Sequence, residues 1–349
     1  MKKIFLLLII LAMTVPCLAN TSAFDIEWWS QKTYSNNQGN TLKQWAEGID
    51  GRVGDNVGTG SIFYVDSGVT NEGDGSSWDN AKDTIDEAIG LCTASRGDVI
   101  YVAQGHTETE ATASTSLFTL DVAGVSIIGV GNGAFNSVVS AGASTGQSMP
   151  TLILDHASAT ITISAVNTRI SGLLIVSDIT DVLVGVTIAA TADGCIVDNC
   201  IIRDNGATLD MTVMLSIAAA ANEVKLIGNN FIANVLAGGN NAILLVGANT
   251  NILISGNVSS GKYATGNLLG SAAAQVNATI VGNIFANADG AAALTLNTAS
   301  TGMLADNYLG GKTSIATTLV GDDAMWCFNN QVSGDVAASG AVDPAADTD

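Results

Sequence analysis

Leu226-Ile-Gly-Asn229, Ile254-Ser-Gly-Asn257 and Ile280-Val-Gly-Asn283 state one short phrase three times. Ile196-Val-Asp-Asn199 precedes them and Leu304-Ala-Asp-Asn307 follows, so five segments read apolar-x-(Gly/Asp)-Asn. Ile170-Ser-Gly-Leu173 is an earlier copy with Leu in the Asn slot, and Cys327-Phe-Asn329 is a degenerate last one. The slot recurs at spacings of 26, 30, 28, 26, 24 and 22 residues. A drifting period of this size marks a solenoid. It is too long for hexapeptide coils and lacks a leucine-rich consensus.

Between the Asn marks lie 182–188, 212–218, 242–246, 267–271 and 292–297, which alternate or run apolar and show no 3.6-residue periodicity. Two to three short strands per period give an all-β, right-handed parallel β-helix of about ten coils over residues 61–335. The Asn column has a physical cause. A bend between strands leaves backbone N–H and C=O groups without partners, and burying them so is costly. Asn carries both a donor and an acceptor and tolerates left-handed backbone. Asn199, Asn229, Asn257, Asn283 and Asn307 are therefore expected to stack as a ladder.

Outward from the repeats, composition agrees. Of 349 residues 47% are hydrophobic, yet only 5% are aromatic and 13% charged, with 38 Gly and 3 Pro. Small and β-branched residues with frequent Gly suit short strands and tight turns. The formal charge of −20 disfavours nucleic acid, anionic membranes and polyuronates unless cations intervene.

Residues 1–19 read as a secretory leader, with Lys2 and Lys3 before an apolar run and Cys17-Leu18-Ala19 at its end. Removing it leaves no segment expected to span a membrane. Residues 20–60 hold Phe24, Trp28, Trp29, Tyr34 and Trp45, five of the chain's 18 aromatics. Trp28, Trp29 and Trp45 are the expected anchors of an attachment arm that binds a second copy or a larger surface assembly; the alternative is an arm that folds back over a sheet face of the solenoid. Residues 336–349 read as an acidic flexible tail. Of five Cys, Cys92, Cys195, Cys200 and Cys327 follow the leader; two disulfides are open to them, and buried free thiols fit their spacing better.

The start of the solenoid has its own signature. Phe63-Tyr-Val-Asp66 reads as a strand, Gly73-Asp-Gly-Ser-Ser-Trp78 as a polar turn, Ala81 to Cys92 as a helix with Ile85, Ala88, Ile89 and Cys92 on one face, and Gly97-Asp-Val-Ile-Tyr-Val102 as the next strand. A solenoid needs its open core hidden, and this helix is the expected N-terminal cap. With the Gly105-His106 turn, the stretch from Phe63 to Glu110 resembles the opening of pectate-lyase-like right-handed parallel β-helix proteins. Val122-Ala-Gly-Val-Ser-Ile-Ile-Gly-Val-Gly131 and the Asn coils resemble a phage and environmental branch of unassigned function. The resemblance implies the fold over roughly residues 60–335; its members include lyases, hydrolases, tailspikes and adhesins, so it does not fix a chemistry.

Lyases of such a superfamily pair an Arg or Lys base with carboxylates that hold Ca²⁺. Only Arg169 and Arg203 of the four Arg fall within the coils. Asp178, Asp181, Asp198, Asp204 and Asp210 are expected to gather near Arg203, making Arg203, Asp178 and Asp204 the best catalytic candidates. Leu154-Asp155-His156 reads as a strand end. The two His, 106 and 156, make no metal triad or nucleophile–base pair in sequence, and Asp322-Asp323 lies in the last coil region. Asp66, Asp74 and Asp79 are candidates for a Ca²⁺ ion, although the EF-hand spacing is missing. No other cofactor is implied. Two readings stay open. One is a non-enzymatic β-helix, secreted or displayed on a cell or virion surface, with a structural, adhesive or glycan-binding role. The other is a polysaccharide lyase or glycoside hydrolase. A Ca²⁺-dependent activity on acidic glycans separates them.

Overall fold

A computed structural model describes residues 60–113, 116–131, 149–206, 208–234, 238–289, 291–311, 325–333 and 340–342. Residues 1–19, expected as a leader, residues 20–59 of the expected arm with Trp28, Trp29 and Trp45, and Asp322-Asp323 lie outside the described residues. The protein is an all-β parallel β-solenoid. Sheet 1 stacks ten strands, from Ile62–Val65 through Arg169–Ser171, Ile196–Asp198 and Lys225–Ile227 to Met325–Phe328. Sheet 2 also has ten, from Thr107–Glu110 to Asn330–Ser333 with Gly340–Val342 at its end. Sheet 3 has seven, from Ser116–Leu120 to Leu294–Leu296.

Seven turns, from Val99–Val102 to Leu294–Leu296, carry all three strands. The expected ten coils are thus cut to seven complete turns: sheet 1 stacks ten parallel strands, sheet 2 nine with the antiparallel Gly340–Val342 added, and sheet 3 seven. At the start, the chain between the first two strands of sheet 1 is given over to a 3-10 turn, Trp78–Asn80, and a short helix, α1, Ile85–Ile89. At the end, the chain after Tyr308–Gly311 runs outside the described residues before Met325. Gly340–Val342 pairs antiparallel with Asn330–Ser333, so a strand stands within the stretch read as tail.

Parity within each strand builds the core. In sheet 1 the register stacks Ile100, Ile127, Ile170, Val197, Leu226, Ile254, Ile280, Leu304 and Cys327 in one inward column. All of them are buried. Sheet 3 supplies Phe118 and Leu120, Ile161 and Ile163, Val186 and Ile188, Leu215 and Ile217, and Ile243 and Leu245 in matching positions. Each such side chain removed from water contributes about 1.5–3 kcal/mol. A register slip of one residue would turn every column outward, so the core fixes the stacking.

α1 is shorter than the expected Ala81–Cys92 helix. Lys82 is in a parallel bridge with Val65, its N–H donating to Tyr64 O and its carbonyl accepting from Asp66 N–H, both at 2.9 Å. The chain therefore stays extended until Thr84, whose hydroxyl caps the N–H of Glu87. Ile85, Ala88 and Ile89 are buried and join the core, while Cys92 follows the helix and donates to Ala88 O. No helix among the described residues is long and apolar enough to cross a membrane.

The corner between sheets 1 and 2 holds a column of buried asparagines. Asn257 Oδ1 accepts the N–H of Asn229 at 2.9 Å and its side-chain amide at 3.0 Å. Asn283, Asn307 and Asn330 repeat the pattern on the coils that follow. Each amide also donates to an inward residue's carbonyl on the preceding coil: Asn229 to Val197, Asn257 to Leu226, Asn283 to Ile254 and Asn307 to Ile280.

Asn199 does not belong to this column. The register pairs Val197 with Leu226 and Asp198 with Ile227, which puts Cys200 at the Asn229 level. Asn199 is exposed, takes φ 52°, and occupies the left-handed seat held by Gly228, Gly256 and Gly282 in later coils. Asn329 (φ 53°) sits in that seat too, and Asn330 is the last member of the column.

Candidate functional site

The corner between sheets 2 and 3 holds Asp178, Asp181, Asp204 and Asp210, four of the five carboxylates expected near Arg203. Ile202 points inward and Arg203 outward, between Val176 and Ile232 of the adjacent coils. Asp204 follows at the bend and is 8% exposed. Its Oδ1 accepts the N–H of Met211 at 2.9 Å and its Oδ2 that of Asn234 at 2.8 Å. Burial pushes its carboxyl up to about 6; the two N–H donors oppose this and the Asp210 charge adds to it. Asp210, equally buried, accepts from the backbone N–H of Asp181 at 3.1 Å. Asp178 is exposed and accepts from the Asn205 side chain at 2.9 Å.

The Arg203 side chain makes no hydrogen bond or ion pair with a described residue. Burial draws its guanidinium below the usual Arg range. The carboxylates expected around it are engaged elsewhere. Asp204 is bound to two backbone N–H groups, and Asp198 lies on sheet 1, where Arg169 grips it with Nε and Nη2, both at 2.7 Å. Ser171 Oγ and Asn199 Nδ2 complete the Asp198 shell at 3.1 and 2.7 Å. Arg169 and Asp198 stand one coil apart and two positions out of step, a diagonal visible only once the register is fixed. Arg96 holds the fully buried Asp98 in the same bidentate way, at 2.7 and 2.9 Å, and Asp98 also accepts from Ser61 and Thr93 N–H.

The Ca²⁺ candidates are spread along local turns. Asp66 accepts from Gly68 N–H at 2.8 Å, and Asp74 from the hydroxyl and N–H of Ser76 at 2.6 and 3.0 Å. Those two bonds hold Asp74 below the usual carboxylate range. Asp79 is exposed in the 3-10 turn. Among the described residues no group of three or more His, Cys, Asp or Glu is placed to hold a metal ion. His156 accepts from Ser158 N–H at the end of strand Thr151–Leu154.

Cys92, Cys195, Cys200 and Cys327 are free. Burial pushes Cys92, Cys195 and Cys200 up to about 12, which withholds the reactive thiolate at neutral pH. Two arrangements carried no sequence signal of their own. At the corner between sheets 3 and 1, Asn249, Gln275 and Ser300 form a second buried polar chain: Asn249 Nδ2 donates to Gln275 Oε1 at 3.2 Å, and Gln275 N–H to Ser300 Oγ at 3.0 Å. On the outside of sheet 1, Tyr64, Trp78 and Tyr101 form an aromatic cluster.

These features define a parallel β-solenoid with densely bonded polar corners. No family model matches the chain, and no curated protein does. Among solved structures, a rhamnogalacturonan lyase is similar at a TM-score of 0.42 with 11% identity, over 80% of this chain. The match spans 63% of the lyase's length. A pectin methylesterase, solved in complex with hexasaccharide VII, is similar at a TM-score of 0.37 with 12% identity, over 80% of this chain and 90% of that one.

Proposed function

We propose that this chain is a non-enzymatic β-solenoid, secreted or displayed on a cell or virion surface, whose outer faces bind glycan or a surface assembly. One observation carries the reading. The side chain of Arg203, the candidate base, pairs with no described carboxylate, while each oxygen of Asp204 accepts a backbone N–H. A catalytic acid or base must reach the substrate, and Asp204 is 8% exposed and turned toward those two N–H groups. In this reading the winding is right-handed, as parallel crossovers almost always are. The helix Ile85–Ile89 caps the core and the asparagine column works as a stabilising ladder. The Lys2-Lys3 leader supports export, and residues 20–60 supply attachment.

The test is a spectrophotometric assay of the purified protein on pectate and alginate with Ca²⁺ present. Absorbance of unsaturated product should stay flat. Turnover that disappears in Arg203→Ala would overturn the proposal. One observation favours the alternative of a glycoside hydrolase: Asp204 titrates near 6 beside Asp210, the range a catalytic acid needs. Release of reducing ends that is lost in Asp204→Asn would establish it.

A further inference from the structure

The turn Gly73-Asp-Gly-Ser-Ser-Trp78 shapes a surface that no backbone requirement explains. Gly73 lies so close to Asn80 that an added Cβ would fall 2.5 Å from its Cα. Gly75 takes φ +76°, receives the N–H of Tyr64 on its carbonyl at 2.9 Å, and donates to Asn80 O. This tight loop lays Trp78 against the outer face of sheet 1. The indole meets Tyr64 edge-on, with centroids 4.7 Å apart and planes at 63°. Tyr101, the register partner of Tyr64, lies 6.2 Å beyond it at 36°. Ile128 continues the same column on the next coil.

The cluster is amphipathic in a particular way. Trp78 is 40% exposed and both tyrosines are half-buried. No side-chain hydrogen bond joins Tyr64, Trp78 or Tyr101 to another described residue. Three rings therefore offer apolar faces together with one indole N–H and two phenol hydroxyls that bond no other described residue. A sugar ring has the complementary character, a C–H face bordered by hydroxyls. Charge selects among sugars. Asp74 and Asp79 flank the loop, the nearby Lys82 is bound to Glu72, and the whole chain carries −20. Such a rim repels polyuronates and leaves uncharged sugars unopposed.

We propose that Tyr64, Trp78 and Tyr101 form a stacking platform for a pyranose unit of an uncharged polysaccharide. The inference rests on the glycan-binding reading above and adds a place and a substrate class to it. Affinity electrophoresis of the full protein through gels containing hydroxyethylcellulose, galactomannan or polygalacturonate tests it. At least one uncharged polymer should retard migration and polygalacturonate should not. Trp78→Ala should weaken retardation about tenfold or more, and Tyr101→Phe, which removes only a hydroxyl, should weaken it less. Trp326→Ala, at the 78% exposed tryptophan on the far end of sheet 1, is the control and should change nothing. Retardation that survives in a folded Trp78→Ala overturns the platform and leaves glycan binding standing. Equal retardation by polygalacturonate overturns the uncharged class. Retardation by no polymer overturns the platform and the glycan reading together.

Discussion

The backbone N–H of Cys200 donates to Asn229 Oδ1, one coil further on, at 3.0 Å. Cys200 thus sits where every later coil has an asparagine, and its thiol reaches toward Ile170 O at 3.9 Å, the carbonyl an amide would meet. Cys200→Asn should therefore extend the column by one member. Its melting midpoint should equal or exceed that of the parent, whereas Cys200→Leu should lower it by overpacking. A Cys200→Asn variant that melts as low as Cys200→Leu would contradict this seat.

Asn257 binds both neighbours. Truncation to Ala strands the buried Asn229 N–H and takes the side-chain donor from the Leu226 carbonyl. The expected loss is about 1–3 kcal/mol of unfolding free energy. Asn257→Ala with Asn283→Ala should lose less than the sum of the two, because they share a hydrogen bond. Denaturant titration of the four proteins measures it; an unchanged midpoint in Asn257→Ala removes the stabilising role of the column.

Asp204 makes stability depend on pH with a definite sign. Its folded value near 6 exceeds the ordinary 3.8, so the folded protein binds the extra proton between those limits. Its contribution therefore weakens stability as pH rises from about 4 to about 6, by at most about 3 kcal/mol. Asp204→Asn should flatten this portion of the melting profile relative to the parent. A parent and variant that keep a constant difference from pH 4 to 7 would refute the assignment.

Arg169 neutralises a buried carboxylate. Arg169→Ala leaves Asp198 with Ser171 and Asn199 alone, and should destabilise by about 1–3 kcal/mol, reduced by the solvent reaching the Arg side chain. Asp198→Asn added to it should recover part of the loss, since no unpaired charge remains. A double variant less stable than Arg169→Ala alone would show that the Asp198 charge is satisfied without Arg169.

The solenoid was legible because the repeat carries two signals at once, an apolar inward residue and a polar corner. The register was legible where Gly marks the left-handed seat, as in Leu226-Ile-Gly-Asn229, and in Leu304-Ala-Asp-Asn307, where Asp306 takes that seat at φ 55°. In Ile196-Val-Asp-Asn-Cys200 two β-branched residues stand side by side, so parity is hidden, and Asn itself takes the left-handed seat. That one-residue ambiguity moved Asn199 into the column and Cys200 out of it. It also concealed the Arg169–Asp198 diagonal and suggested that Asp198 joins Arg203. The helix was overread because Ala81 and Lys82 have helical propensity, while strand pairing with Val65 claims them. The aromatic cluster needed the contact between a loop and two coils, which no single window of sequence contains.

The proposed function has two halves, that the solenoid binds a glycan chain and that it leaves the chain uncut. Size-exclusion chromatography after prolonged incubation of an uncharged polysaccharide with a comparable amount of protein reads both halves in one run. Protein should elute with the polymer, and the polymer's size distribution should be unchanged. A distribution shifted to shorter chains would contradict the proposed function.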